Sequence, residues 1–179
     1  PFSVFVMKPT PPAPASTTLV KLFLQHKLTL ALAESCTCGL AAAQLAPAEG
    51  VSDVLLGSVV TYHAQAKQKL LGVNRATLDL YSAESQQTTN EMALGLHKHL
   101  PQADVCVAVT GLCGPGASAT PEKPVGTVFV TILLDGQAHE YRVQLADNDS
   151  DKLRQQAVDF IYQSLGELLG RRQVTAPKD

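Results

Sequence analysis

Apolar and polar positions follow two periods along this chain, and the changes of period mark its elements. Leu19, Leu22, Phe23 and Leu28 recur near one face of a helix that Thr17 or Thr18 can cap. Leu28–Ala33 is a short unbroken apolar run, as expected of a strand buried on both faces. Residues 37–46 are small and apolar and predict a helix opened by Ser35 or Thr37 and stopped by Pro47. The β-branched run Val54–Tyr62 predicts the next strand. "AQAKQKLLG" predicts a short helix ending at Gly72, and "NRATLDL" another turn capped by Asn74. A longer helix starts at Ser82 or Ser85 and runs to Leu100, with Met92, Leu96 and Leu100 on one stripe. "ADVCVAVT" (103–110) predicts a further buried strand, and a Gly- and Pro-rich stretch follows it. "VGTVFVTILLDGQAHEYRVQLA" then holds two β-rich runs joined at Asp135-Gly136, a hairpin signature. Asp149 or Ser150 caps the last helix, which runs through Leu169.

Strands alternating with helices, plus one antiparallel hairpin, predict an α/β protein. Its expected form is a three-layer α/β/α fold with a mixed, mostly parallel central sheet of about five strands. Residues 17–170 are expected to form one domain. Residues 171–179 read as a tail and residues 1–16 as a Pro-rich arm or, in the apolar stretch before Met7, a segment foreign to the natural chain. Ligands of such sheets bind beyond the carboxyl ends of the strands. Three strands have polar tips there: Glu34-Ser35, Thr61-Tyr62 and Thr110-Gly111.

Composition narrows the partners. Net charge is −2 with Lys and Arg scattered, so no basic patch points to nucleic acid or to an anionic membrane surface. No apolar run approaches the ~20 residues of a membrane-spanning helix. Four cysteines in 179 residues suit reduced thiols of a cytoplasmic protein better than a disulfide scaffold. Cys36-x-Cys38 is too tight for the usual C-x₂-C zinc pair, and no second pair follows, so no metal is expected.

Ser35, between a strand and a helix, is placed where helix N–H groups aim at an anion or a developing oxyanion. The plainer alternative is that Ser35 and Thr37 only cap the helix. A serine nucleophile needs a proton acceptor, and His63, the nearest histidine, lacks an evident orienting carboxylate. A desolvated Lys67 can serve as base, with Tyr62 relaying the proton between them. The competing reading makes Tyr62 a strand end against the core and Lys67 a solvated helix residue. "TGLCGPGAS" (110–118) presents unencumbered backbone N–H groups suited to a phosphate or ribose, or is simply a long surface loop. Cys36 at a helix start could carry a depressed pKa, or be a small apolar residue like Cys106 and Cys113.

Four motifs in order, "AESCTCG" (33–39), "VVTYHAQAKQKLLGV" (59–73), "AVTGLCGPG" (108–116) and "PEKPVGTV" (121–128), resemble the CinA C-terminal family over residues 17–169. Some members of that family are nicotinamide-nucleotide amidohydrolases. The resemblance implies deamidation of nicotinamide mononucleotide to nicotinate mononucleotide and ammonia, without cofactor. It implies Ser35 as nucleophile and Tyr62 and Lys67 as the proton-handling pair. Glu34, Thr37, Gly39, Thr110, Gly111, Gly114, Gly116 and Arg154 would contact substrate. Glu34 either offsets the pyridinium cation or is a buried structural acceptor. The chain departs from the family pattern at Cys38, where Gly is usual, and at "SAES" (82–85), where "GAVS" is usual. It departs again at Ser150, often Arg, a loss that Arg154 compensates or does not. The expected partner is a small-molecule nucleotide, with self-association open. The rivals are a nucleotide-binding member without turnover, favoured by Cys38 and Ser150, and an interaction protein docking through its Pro-rich arm.

Overall fold

The computed structural model describes residues 14–114 and 118–172. Its elements alternate in the expected way: α1 (Pro14–His26), β1 (Leu30–Glu34), α2 (Leu40–Leu45), β2 (Leu55–Val60), α3 (Ala64–Leu71), α4 (Arg75–Tyr81), α5 (Gln86–His99), β3 (Val105–Gly111), β4 (Thr127–Leu134), β5 (Gln137–Gln144) and α6 (Ser150–Arg171). The sheet order is β2-β1-β3-β4-β5. β1 lies parallel to β2 and β3, while β4 is antiparallel to both β3 and β5. Four of the five strands therefore point the same way, and β4 alone is reversed. At the β4–β5 turn Asp135 and Gly136 both have positive φ (51° and 74°), as a two-residue primed hairpin turn demands.

The alternation of side chains along β1 divides the core. Leu30 and Leu32 face one layer, packed with α1, α2 and α6 residues such as Phe23, Leu45 and Ile161. Ala31 and Ala33 face the other, packed with Leu71 of α3, with Val73 beyond it and with Met92, Ala93 and Leu96 of α5. The same alternation puts Glu34 on the α2 side, beneath the start of that helix.

Two helix starts differ from the sequence expectation, and β1 and β2 occupy Leu30–Glu34 and Leu55–Val60 rather than 28–33 and 54–62. α1 begins at Pro14 rather than at a cap on Thr17 or Thr18: proline is tolerated in a first turn, where its missing N–H has no intrahelical partner anyway. The rest of the expected Pro-rich arm, residues 1–13, lies outside the described residues, as do 173–179 of the tail. α2 begins at Leu40, not at residue 37, because Cys38 and Gly39 take positive φ (51° and 90°) and hold residues 36–39 in a turn. Neither Ser35 nor Thr37 caps it. The cap is Glu34, reaching forward from the preceding strand. This wholly buried carboxylate accepts from the N–H groups of Gly39 (2.9 Å), Ala41 (3.1 Å) and Ala42 (3.0 Å) and from the hydroxyls of Thr37 (2.7 Å) and Ser58 (3.1 Å). Its negative charge meets the positive end of the helix dipole. Within the same layer, the Tyr162 hydroxyl of α6 donates to the Ala41 carbonyl (2.6 Å). Among the described residues no helix is long and apolar enough to cross a membrane.

A neutral amide at position 34 would turn an N–H₂ toward donors that need an acceptor. Glu34→Gln is expected to cost about 3 kcal/mol of stability. That corresponds to a drop in Tm of roughly 5–10 °C, readable by calorimetry.

Candidate active site

Past Glu34 the chain turns, and Ser35 falls on the opposite side of the sheet end from the Glu34 carboxylate. Its amide stays in register, donating to Val109 O on β3 (3.0 Å). α3 meets it there. His63 caps α3, its Nδ1 accepting from the Gln65 N–H (3.2 Å), which explains why that histidine is not a base at the site. One turn into α3 stands Lys67, only 1 % exposed. Its Nζ donates to Ser35 Oγ at 2.7 Å, to the Thr61 carbonyl at 2.7 Å and to the Tyr62 carbonyl at 3.4 Å. Burial lowers this amine from its usual range to about 8, against smaller opposing effects of Glu84 and Cys36. A serine oxygen and a lysine primed to lose its proton are thus in direct contact.

Ser35, itself 5 % exposed, sits on the wall of a cavity of about 310 Å³ beyond the carboxyl ends of β1 and β3. Tyr62, Glu84, Gly111 and Gly114 also line it, with Cys36, Leu112, Cys113 and Ser118. α6 contributes Ser150 and, one turn on, Arg154. Arg154 is paired to Asp151 on its own helix, and its side chain is 30 % exposed. The buried thiols of Cys36 and Cys113 meet within this wall. Their contact, with burial second, raises Cys36 well above the usual thiol range, the opposite of a helix-start thiolate; the same contact lowers Cys113. Among the described residues no three His, Cys, Asp or Glu side chains converge as a metal site.

Several expected site residues take other places. No phenol stands between Ser35 and Lys67, because the lysine reaches the serine unaided. Tyr62 is 64 % exposed on the cavity wall, and only its backbone carbonyl touches the amine. The helix N–H groups expected to face Ser35 are occupied by Glu34, which is therefore the structural acceptor of the two readings and not a substrate contact. Thr37 is buried and gives its hydroxyl to Glu34. Thr110 is buried and gives its hydroxyl to the Ala83 carbonyl (3.0 Å), tying the end of β3 to the turn before α5. Gly39 lines, with Cys38, an adjoining groove that shares Arg154 with the cavity but not Ser35. Gly111 does line the cavity, but its lack of a side chain serves the sheet: a Cβ there would lie 2.5 Å from Thr127 O. Gly116 lies outside the described residues. Glu84 and Ser118 also line the cavity, and the sequence signalled them only through their stretches, "SAES" (82–85) as a departure from the family pattern and "TGLCGPGAS" (110–118) as a candidate phosphate or ribose loop.

The family model for the CinA C-terminal domain matches residues 13–169. The chain belongs to the CinA C-terminal domain family. A CinA-like protein of Petrotoga mobilis is 35 % identical over 155 residues, which cover 87 % of this chain and 38 % of that protein. A CinA-like protein of Thermotoga neapolitana is 46 % identical over 114 residues, 64 % of this chain and 28 % of its own length. The chain thus spans about a third of the length of these curated relatives. Among solved structures, a CinA superfamily protein of Klebsiella pneumoniae superposes with a TM-score of 0.82 at 31 % identity, covering 88 % of this chain and 97 % of that one. The competence/damage inducible protein CihA of Agrobacterium tumefaciens gives 0.82 at 32 %, covering 92 % and 100 %. This membership carries the three-layer fold, and the Ser35–Lys67 contact falls within the matched span.

The buried amine also sets a stability signature. Between pH ~8 and the ordinary lysine pKa the unfolded chain binds more protons than the folded one, so the lysine's cost to folding declines as pH rises through that window. Relative to Lys67→Met, the unmodified chain should gain about 2–3 kcal/mol of stability between pH 7 and pH 10. Parallel urea titrations at the two pH values measure this, and equal differences would show an amine with an ordinary pKa.

Proposed function

We propose that this chain is an amidohydrolase that converts nicotinamide mononucleotide to nicotinate mononucleotide and ammonia. The observation that carries the reading is the 2.7 Å contact between Lys67 Nζ and Ser35 Oγ on the wall of a nucleotide-sized cavity. In its free-base form Lys67 accepts the Ser35 proton as Oγ attacks the carboxamide carbon. The Thr61 carbonyl holds the amine in line during the transfer. The tetrahedral oxyanion needs donors. The amides of Cys36 and Thr37, which bond no other described residue, are the groups next to Oγ that would serve. Protonated Lys67 then gives its proton to the departing nitrogen, the C–N bond breaks, and ammonia leaves an acyl-serine. Water, deprotonated by the same amine, attacks that ester and releases the carboxylate product and the serine.

The remaining wall suits the remainder of the substrate. Arg154 is a cation for the phosphate, with the Ser150 hydroxyl one turn before it. The exposed Tyr62 ring offers a face for the pyridine ring. A pyridinium withdraws electrons from its carboxamide and eases attack. The rival reading, a binding member without turnover, rests on Cys38, which lines a groove that adjoins the Ser35 cavity at Arg154, and on Ser150 of the cavity wall.

Incubation of the pure chain with nicotinamide mononucleotide should release ammonia, and Ser35→Ala and Lys67→Met should each reduce kcat/KM by at least 10³-fold, as for other groups that act as a unit. The rate should rise with pH and level off above about 8, where Lys67 becomes the free base. Binding of the nucleotide without ammonia would favour the inactive member.

A further inference from the structure

The turn between α4 and α5 is strained, pinned and aimed at the cavity. Ser82 holds φ 74°, ψ 169°, a backbone region that residues with side chains seldom enter. Four interactions keep it there. Lys123 Nζ donates to the Ser82 hydroxyl (2.6 Å) and to the Glu84 carbonyl (2.9 Å). The hydroxyls of Ser85 (3.2 Å) and Thr88 (2.7 Å) donate to the Ser82 carbonyl. The anchored turn carries Glu84 to the wall that also holds Ser35 and Tyr62. There its half-buried carboxylate makes no hydrogen bond or ion pair with any described residue, although its charge reaches Lys67. A carboxylate fixed at that position without a partner leaves its acceptor capacity to a ligand. Arg154, a cation, lines the same cavity. The site therefore offers one anionic and one cationic group, the complement of a nucleotide with an anionic phosphate and a cationic base.

We propose that Glu84 is a specificity-determining residue whose carboxylate holds the positively charged ring of a pyridinium nucleotide in the Ser35 cavity and discriminates against neutral-ring analogues. This rests on the amidohydrolase reading above. Lys123 and Ser82 act through it as positioning residues.

The test is calorimetric binding to the full chain carrying Ser35→Ala, which prevents turnover. The probes are nicotinamide mononucleotide and its neutral carbon-linked benzamide counterpart, equal in shape and phosphate charge. The expected result is a preference for the cationic ring that falls roughly tenfold when Glu84→Gln is added, with affinity for the neutral analogue unchanged. Glu84→Val should lower the preference to the same degree, so the effect follows charge and not a particular amide. Lys123→Met, which frees the turn, should erode the preference in part. A ratio unmoved by both Glu84 variants would overturn the proposal while leaving the amidohydrolase reading intact. Failure of the Glu84 chain to bind either nucleotide, together with no ammonia release by the unmodified chain, would overturn both.

Discussion

The buried carboxylate of Glu34 is the joint from which the rest of the site hangs. It is the last residue of the interior strand β1, and it collects five hydrogen bonds from α2, from the turn before it and from β2. A carboxylate so deeply desolvated is tolerated only when every lone pair has a donor. The requirement works in both directions. The donors fix the acid, and the acid fixes the turn at residues 35–39, including two residues with positive φ. Ser35 is thereby held at the start of a turn whose far end is clamped. From there its oxygen meets an amine supplied by a helix of the opposite layer.

That amine is the complementary tension. Lys67 is surrounded by sheet and helix, and burial discourages its charge, lowering its pKa to about 8. Three oxygens partly offset the cost. A protein selected for stability alone would place an apolar residue there. The arrangement makes sense when the neutral amine has work to do, accepting a proton from the oxygen it already touches. The two buried ionisable groups divide the roles: Glu34 stabilises the scaffold, and Lys67 costs stability at neutral pH and, in the proposed reaction, supplies the base.

Much of this was legible in the residues. The hairpin at Asp135-Gly136, the unbroken apolar strands β1 and β3, and the caps at Asn74 and Asp149 all follow local rules, and local rules survive folding. The pairing of Ser35 with Lys67 was reachable from chemistry, since a serine nucleophile needs a base and a desolvated lysine can be one. The roles of Glu34, Thr37 and Thr110 were harder to read. A polar residue at a strand tip looks alike whether it faces ligand or satisfies a helix end. Only the parity of the strand decides, and that requires knowing which layer covers which face. The phenol expected between Ser35 and Lys67 fails for a related reason: sequence order suggests a chain of three groups, but the lysine stem is long enough to reach the serine directly. Glu84 lies in a turn before α5, and nothing in a one-dimensional pattern says that this turn closes over the end of β3.

The central claim is that contact with Lys67 makes Ser35 a nucleophile. Its most direct test is covalent labelling with a small alkyl phosphonofluoridate, followed by peptide mass spectrometry across a range of pH. The account predicts a single adduct on Ser35, formed at a rate that rises through pH ~8 and is lost when Lys67 is replaced by methionine. An unlabelled Ser35, or labelling as fast without the amine as with it, would contradict it.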